Sequence, residues 1–198
     1  MNVEVRNLFP TPVLRVSDFI SQKQCSDIVS FFKEKGFKHD TILGNGVSTY
    51  TTSSNALSEI TNKINGCQNI AKSLNETVSN YVRVLGIGDI KVTNSWVNFQ
   101  NKDSVLTEHA HPSSVISGAL FLKSDADSNY LFFRNCNPFW NMTKFDPNNS
   151  TEFSYEHFWF APVEGSLVLF PSWLLHGSNS EKNGSDQRVV FSFNTEYK

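Results

Sequence analysis

The stretch Ile90-Lys91-Val92-Thr93-Asn94-Ser95-Trp96-Val97-Asn98-Phe99 alternates between the two faces of an extended chain with a period of two. This pattern is typical of a β-strand with one buried face. Further β-rich segments follow it, separated by clusters of Gly, Pro, Asn and Asp: 115–123, 130–134, 153–160, 167–170 and 188–194. Short strands with such turns between them predict a β-sandwich or jelly roll for this half of the chain.

The residues before the sandwich favour helices. Segment 8–16 contains two prolines, which suit only an edge strand, so we expect a short strand there. Asp18 resembles a helix N-cap, and apolar residues then recur at helical spacing as far as Gly36, a plausible helix end. The first helix is therefore expected between these two residues.

The next segment, 39–55, is polar and rich in Gly, Ser and Thr, which predicts a loop with one short strand at most. Helical spacing returns over 56–85, where Gly66 is expected to interrupt the helix and Gly86 to end it. The prediction is a single domain, 1–198, with a helical part at about 1–88 and a β core at about 89–198.

Composition excludes several classes of protein. The 198 residues carry a formal net charge of -2 and only 18% are charged, which argues against a nucleic-acid binder. Three cysteines without a close pair fit reduced thiols better than a disulfide framework. With neither a signal peptide nor an apolar run long enough for a membrane span, we expect a soluble, cytoplasmic protein.

Two histidines in the motif Glu108-His109-Ala110-His111-Pro112 are separated by one residue. On a strand, residues spaced in this way project from the same face. Two imidazoles on one face can bind a single ion of Zn, Cu, Fe or Ni. The pair therefore predicts a metal site, with a pair of surface histidines as the alternative.

Two further residues extend this pattern. His176 follows an apolar segment, and Arg188 opens the strand predicted at 188–194. Each is weak evidence alone, because a histidine after a strand is often structural and an arginine at a strand end is often solvated. Their order after the histidine pair favours a functional site.

This order of residues resembles that of the Fe(II)/2-oxoglutarate-dependent oxygenases. Segments 109–118 (HAHPSSVISG) and 165–176 (GSLVLFPSWLLH) are similar to those of 2OG-Fe(II) oxygenases from bacteria and their phages, a group related to prolyl 4-hydroxylases. Segments 8–13 (LFPTPV) and 192–194 (SFN) are similar to that group as well. The resemblance spans nearly the whole chain and is strongest in the β-rich half.

The resemblance implies a double-stranded β-helix, the jelly-roll form of the sandwich, with N-terminal helices packed on one sheet. It implies an Fe(II) ion bound by His109, His111 and His176, and a 2-oxoglutarate (2OG) cosubstrate whose C5 carboxylate is bound by Arg188. A planar guanidinium suits a bidentate carboxylate contact better than lysine does. Such a dioxygenase would use dioxygen to hydroxylate a substrate C–H bond and would release succinate and CO₂.

The resemblance also suggests residues around the pocket. Three polar residues are candidate partners of the cosubstrate or the metal ligands, or local hydrogen-bonding residues: Asn98, Ser117 and Asn194. Three aromatic residues are candidate pocket walls or core residues: Trp96, Phe121 and Trp173. Segment 136–151 is expected to be a surface loop beside the mouth of the pocket.

One departure from the family pattern concerns the second ligand. Non-haem oxygenases of this kind usually carry His-x-Asp or His-x-Glu, but here the second position is His111. Glu108 adjoins His109 and should face the opposite side of a regular strand. Three histidines with water also suit a catalytic zinc, so the choice between iron and zinc stays open at this point.

Two other functions remain as alternatives: a cupin-like metalloenzyme that does not use 2OG, and a non-catalytic jelly-roll module for binding or structure. The expected partners are dioxygen and an unidentified small-molecule or peptidyl substrate, without nucleic acid or membrane. A homodimer is left open, and the substrate cannot be derived from the fold class alone.

Overall fold

The computed structural model describes residues 2–6, 8–35, 38–39, 42–51, 54–178 and 182–198. The helices are α1 (Gln22–Lys33), α2 (Ala56–Lys63) and α3 (Ile70–Leu85). The strands are β1 (Leu14–Val16), β2 (Lys38–His39), β3 (Leu43–Ser48), β4 (Ile90–Leu106), β5 (Ile116–Lys123), β6 (Leu131–Arg134), β7 (His157–Phe160), β8 (Leu167–Pro171), β9 (His176–Ser178) and β10 (Gln187–Tyr197). No helix in the described ranges combines the length and the apolar character needed to cross a membrane.

The strands form two antiparallel sheets. The large sheet has seven strands in the order β1-β8-β5-β10-β4-β3-β2, and the small sheet has three in the order β7-β6-β9. Strand β10 lies between β4 and β5 and pairs with β4 from Gln187 to Tyr197. The expected fold class, mainly β with N-terminal helices, is confirmed.

The large sheet is covered on both faces. On one face the helices contribute Phe32 and Leu74 to a core that they share with Phe99 and Phe191 of the sheet. On the other face, side chains of β5, β8 and β10 form a second apolar cluster with those of β6 in the small sheet. Burial on both faces explains why β5 and β8 are almost continuously apolar, since neither face meets water.

The start of α1 differs from the sequence expectation. Its N-cap is Ser21, whose hydroxyl accepts a hydrogen bond from the Gln24 amide while the Gln24 side chain accepts one from the Ser21 amide. Asp18 lies before the helix with a φ of 51° and is not its cap. The prediction for Asp18 was wrong because the reciprocal capping pair outcompetes a single carboxylate. The proposed helix end, Gly36, lies outside the described residues.

The division between α2 and α3 is confirmed. Gly66 (φ 81°) lies between the two helices, and Gly86 (φ 68°) follows the last residue of α3. Both adopt the left-handed conformation, which glycine enters without the penalty that a Cβ imposes.

Several strand bounds differ from those predicted. Strand β1 is an edge strand of three residues, because the prolines before it cannot donate to the ladder. Segment 39–55 contains the six-residue strand β3, and β4 continues seven residues beyond Phe99 to Leu106. The short strand β9 was not predicted, and β7 begins only at His157.

Candidate active site

The fold brings His109, His111 and His176 together. One ring nitrogen from each lies within 4.8 Å of the other two. The ring centroids are 4.9 Å apart for His109 and His111, 4.4 Å for His109 and His176, and 5.2 Å for His111 and His176. Among the described residues this is the one group of three or more His, Cys, Asp or Glu side chains that could hold a metal ion.

Backbone hydrogen bonds place these residues. His109 and His176 form an isolated antiparallel bridge, in which each amide donates to the other's carbonyl oxygen at 2.9 and 3.0 Å. The amide of His111 donates to the carbonyl oxygen of Ser172 at 2.8 Å. Strand β4 has already ended at Leu106, so the two histidines do not lie on a regular strand as predicted. These hydrogen bonds tie His109 to β9 and His111 to the turn after β8, and so hold the two histidines beside His176.

The hydrogen bonds of two rings determine which nitrogen faces the metal position. Nδ1 of His109 lies 2.7 Å from the carbonyl oxygen of Thr107, and Nδ1 of His176 lies 2.8 Å from that of Leu174. A carbonyl oxygen can only accept, so both Nδ1 atoms carry the proton in the neutral rings. In this tautomer the lone pair of each ring lies on Nε2, the nitrogen that would bind a cation.

A chain of polar side chains supports His111. Nδ2 of Asn194 lies 3.4 Å from Nδ1 of His111. Oδ1 of Asn194 accepts a hydrogen bond from the Ser117 hydroxyl at 2.7 Å, and that hydroxyl lies 2.8 Å from the hydroxyl of Ser172. Residues of β10 and β5 and of the turn after β8 thereby fix the orientation of the His111 ring. Two of the predicted site residues, Ser117 and Asn194, take part in these hydrogen bonds.

Burial keeps His111 and His176 neutral. It lowers the pKa of His111 to about 4 and that of His176 to about 3, and the neighbouring His109 lowers both further. A histidine must be neutral to donate a lone pair to a metal. At neutral pH, protons therefore do not compete for these two ligands.

Glu108 is not part of the cluster. Its carboxylate forms an ion pair with Nη2 of Arg134 at 3.0 Å, as expected for a residue that faces away from its neighbour His109. The donor set is thus three imidazoles without a carboxylate.

The histidines border a cavity of about 560 Å³. The large sheet contributes much of its lining: Leu43 and Ser48 on β3, Trp96, Asn98, Gln100 and Leu106 on β4, Ser117, Gly118 and Ala119 on β5, Phe170 on β8, and Arg188, Val190, Ser192 and Phe193 on β10. Leu131 lines it from the small sheet. No Asp or Glu is among the described residues that line this cavity.

Arg188 is the cation of this cavity, and its side chain is buried, with 3% of the residue exposed. Its Nη1 donates to Oε1 of Gln100, and its guanidinium carbon lies 5.3 Å from the ring centroid of Phe121. Its Nε has no hydrogen-bond partner among the described residues. Burial lowers the pKa of Arg188 to about 10, which still leaves it charged at neutral pH. The cavity therefore offers an unsatisfied, positively charged donor.

The remaining predicted residues divide into two groups. Asn98 accepts a hydrogen bond from the Ser48 hydroxyl at 2.6 Å and lines the cavity, as does Trp96, whose ring contacts that of Tyr50 with 5.0 Å between centroids. Phe121 lies beneath Arg188, but Trp173 is 54% exposed and does not line the cavity. No residue of 136–151 lines it either, and this segment forms two short 3₁₀-helices on the surface.

Sequence reasoning missed Gln100, Tyr50 and Ser48. Gln100 could have been found, since it lies two residues after Asn98 and so shares its strand face. Ser48 is the last residue of β3 and Tyr50 lies two residues beyond it, in a segment that was expected to be mainly loop.

The chain was compared with known families, curated proteins and solved structures. The family model described as "Putative 2OG-Fe(II) oxygenase" matches residues 94–194, about half of the chain. No curated protein matches the sequence significantly.

Solved structures with similar folds include a Pseudomonas putida prolyl-4-hydroxylase (TM-score 0.63, 12% identity, covering 95% of this chain and 94% of that one). Another is HygX from Streptomyces hygroscopicus with nickel, 2-oxoglutarate and hygromycin B bound (TM-score 0.60, 10% identity, 95% and 84% covered). A third is the viral collagen prolyl hydroxylase from Paramecium Bursaria Chlorella virus-1 in its 2OG complex (TM-score 0.59, 11% identity, 94% and 96% covered). At these identities the structures show a common fold, while the matched family model shows that the chain belongs to the 2OG-Fe(II) oxygenases.

Proposed function

We propose that His109, His111 and His176 hold the Fe(II) ion of this 2OG-dependent dioxygenase, and that Arg188 binds the C5 carboxylate of 2OG. The observation that carries the assignment is one cavity bordered by three clustered imidazoles and containing a buried arginine without a carboxylate partner. The two features match the two ends of the cosubstrate, which chelates the metal at one end and carries a free carboxylate at the other.

The residues fit the groups they would bind. Neutral imidazoles are suitable ligands for Fe(II), and one nitrogen of each ring lies within 4.8 Å of the others. Arg188 offers Nε, a buried donor without a partner, to an acceptor-only group. A carboxylate satisfies this donor and compensates the buried charge as well.

When bound, iron and 2OG supply the activation of dioxygen that oxidises a substrate C–H bond, with formation of succinate and CO₂. The chain's own residues position and enclose these groups. Arg188 fixes the far end of the cosubstrate, and Asn194 holds the His111 ring in place. Apolar side chains such as Trp96 and Phe170 exclude water from the cavity, which strengthens the electrostatic contacts inside it.

The substrate is a small molecule or a peptide. One similar structure, HygX, contains hygromycin B, and another, a prolyl hydroxylase from Trichoplax adhaerens, contains a peptide fragment. Ser117 and Asn98 would contact the cosubstrate or the substrate from the cavity wall. A homodimer is part of this proposal only as a hypothesis.

The finer fold assignment is a double-stranded β-helix. It is supported by two antiparallel sheets that face each other across the cavity, and by the metal-ligand cluster at one end of that cavity. We also propose that residues 1–198 form one domain, with a helical part at about 1–88 and a β core at about 89–198.

An anaerobic titration tests the assignment. Fe(II) and then 2OG are added to the apoprotein, and the visible metal-to-ligand charge-transfer band is followed. We expect a band that needs both additions, that is lost in His111→Ala, and that is retained in Glu108→Gln, the matched control beside the cluster. Iron binding without a band would favour the metalloenzyme that does not use 2OG, and equal bands in both variants would refute the ligand assignment.

A further inference from the structure

We infer that Gln100 is a second residue that binds the cosubstrate carboxylate, through its side-chain Nε2. This inference rests on the proposed function of Arg188 and extends it to a neutral side chain on a different strand.

Gln100 faces Arg188 directly. The two residues are register partners in the pairing of β4 with β10, and both line the same cavity. Gln100 is 1% exposed, so its amide has left water entirely. A buried amide is costly unless it is hydrogen-bonded, which makes its partners informative.

The guanidinium determines the orientation of the amide. Arginine has donors only, so Gln100 must present its oxygen to Arg188, and Oε1 accepts from Nη1 as observed. Nε2 then points away from the guanidinium. It is buried and has no hydrogen-bond partner among the described residues, and the same is true of Nε of Arg188.

Two unsatisfied buried donors on facing strands define the ligand. An acceptor-only group with two oxygens offers one acceptor for each donor, and a carboxylate is such a group. No acidic side chain of the described residues lines the cavity, so we assign this carboxylate to a bound molecule. Gln100 therefore adds a donor to the Arg188 site without adding a second buried charge.

A purely structural role gives a different expectation. If Gln100 only holds Arg188 in place through Oε1, its removal affects the cosubstrate through Arg188 alone. If Nε2 contacts the carboxylate, removal weakens binding even when Arg188 is absent. Testing Gln100→Leu in the wild-type and the Arg188→Met backgrounds separates the two roles.

The experiment measures the dissociation constant of 2OG from the Fe(II) protein by the charge-transfer band. Loss of one hydrogen bond to a charged group predicts about tenfold weaker binding for Gln100→Leu, and a further weakening of about fivefold when it is added to Arg188→Met. Gln100→Glu keeps an acceptor for Arg188 but replaces the donor with a negative charge, so binding should weaken about 100-fold or more.

Two controls check the variants. Gln187→Leu changes the same residue type next to Arg188 on β10 but outside the cavity wall, and should leave the 2OG constant unchanged. Fe(II) affinity and the thermal unfolding midpoint show whether each variant keeps its site and its fold.

The outcomes are distinct. Weakening in both backgrounds supports the direct contact, whereas weakening only in the wild-type background overturns it in favour of a positioning role. A normal band with an unchanged constant in Gln100→Leu refutes this inference and leaves the role of Arg188 intact. Absence of any band in the unmodified protein overturns the proposed assignment and this inference together.

Discussion

Replacing Arg188 with methionine should separate stability from cosubstrate binding. Arg188 is buried, and within the described residues it contacts the Gln100 amide and the face of Phe121 but no carboxylate. Burial lowers its pKa from 12.5 to about 10. At about 1.36 kcal/mol per pKa unit, this corresponds to roughly 3 kcal/mol by which the fold disfavours the charged form. In the apoprotein no acidic side chain among the described residues of the cavity compensates this cost.

Arg188→Met should therefore raise the free energy of unfolding of the apoprotein by about 1–3 kcal/mol, as often follows when apolar side chains replace buried charges. The same variant should bind 2OG about 100-fold more weakly or worse, because hydrogen bonds to charged groups contribute about 1.5–3 kcal/mol each. Urea denaturation measures the first quantity and the charge-transfer titration the second.

With saturating 2OG, the wild type should become more stable than Arg188→Met. A ligand present at about 100 times its dissociation constant stabilises the protein that binds it by about 2.7 kcal/mol. Arg83→Met, at an exposed position on α3, is the matched control and should change stability by less than about 0.5 kcal/mol. The reasoning is refuted if the Arg188→Met apoprotein is less stable than the wild type, or if it binds 2OG with unchanged affinity.

Three further predictions concern other parts of the molecule. Burial lowers the pKa of His176 to about 3, so below pH 6.5 the unfolded chain takes up a proton that the folded apoprotein does not. Its free energy of unfolding should fall as the pH drops from 6.5 towards 3, and His176→Ala should flatten this slope in urea titrations; identical slopes would contradict the assignment. A thiol reagent should label the exposed Cys136 well before Cys25, which is buried with a pKa raised to about 11; mass spectrometry showing equal rates would argue otherwise. Gly165 has a φ of 78°, and a Cβ there would lie 2.4 Å from a backbone oxygen, so Gly165→Ala should lower the free energy of unfolding by about 2 kcal/mol or more. In the control Gly88→Ala, the Cβ meets nothing within 4 Å. Similar melting temperatures for the two variants would oppose this interpretation.

The predictable features of the fold depend on local patterns. The two-residue period of the β half and the glycines at 66 and 86 identified most strands and the break between α2 and α3, since both signals act within a few residues. The histidine cluster was predictable for another reason. His176 lies far from His109 and His111 in the sequence, but a close histidine pair followed by a histidine after an apolar strand is a pattern that the sequence alone displays.

Other features depend on contacts that a single sequence does not display. Ser21 is the cap of α1 because of its reciprocal bonds with Gln24, whereas the sequence analysis considered only Asp18. Strand β9 is three residues long and forms because it pairs with β6. Trp173 is apolar and follows a core strand, but the turn after β8 directs it to the surface.

The position of β10 has a consequence for how the protein reaches this structure. It lies at the centre of the large sheet but comes last of the strands along the chain. As the chain leaves the ribosome, β4 and β5 lack their common neighbour until residues 187–197 are made, and unpaired strands of this kind are prone to aggregation. The same segment carries Arg188 and Asn194, so a partly synthesised chain has neither the buried cation nor the support for His111. Closing the sheet and completing the candidate site therefore both depend on residues 187–197, and both must wait until this strand has been made.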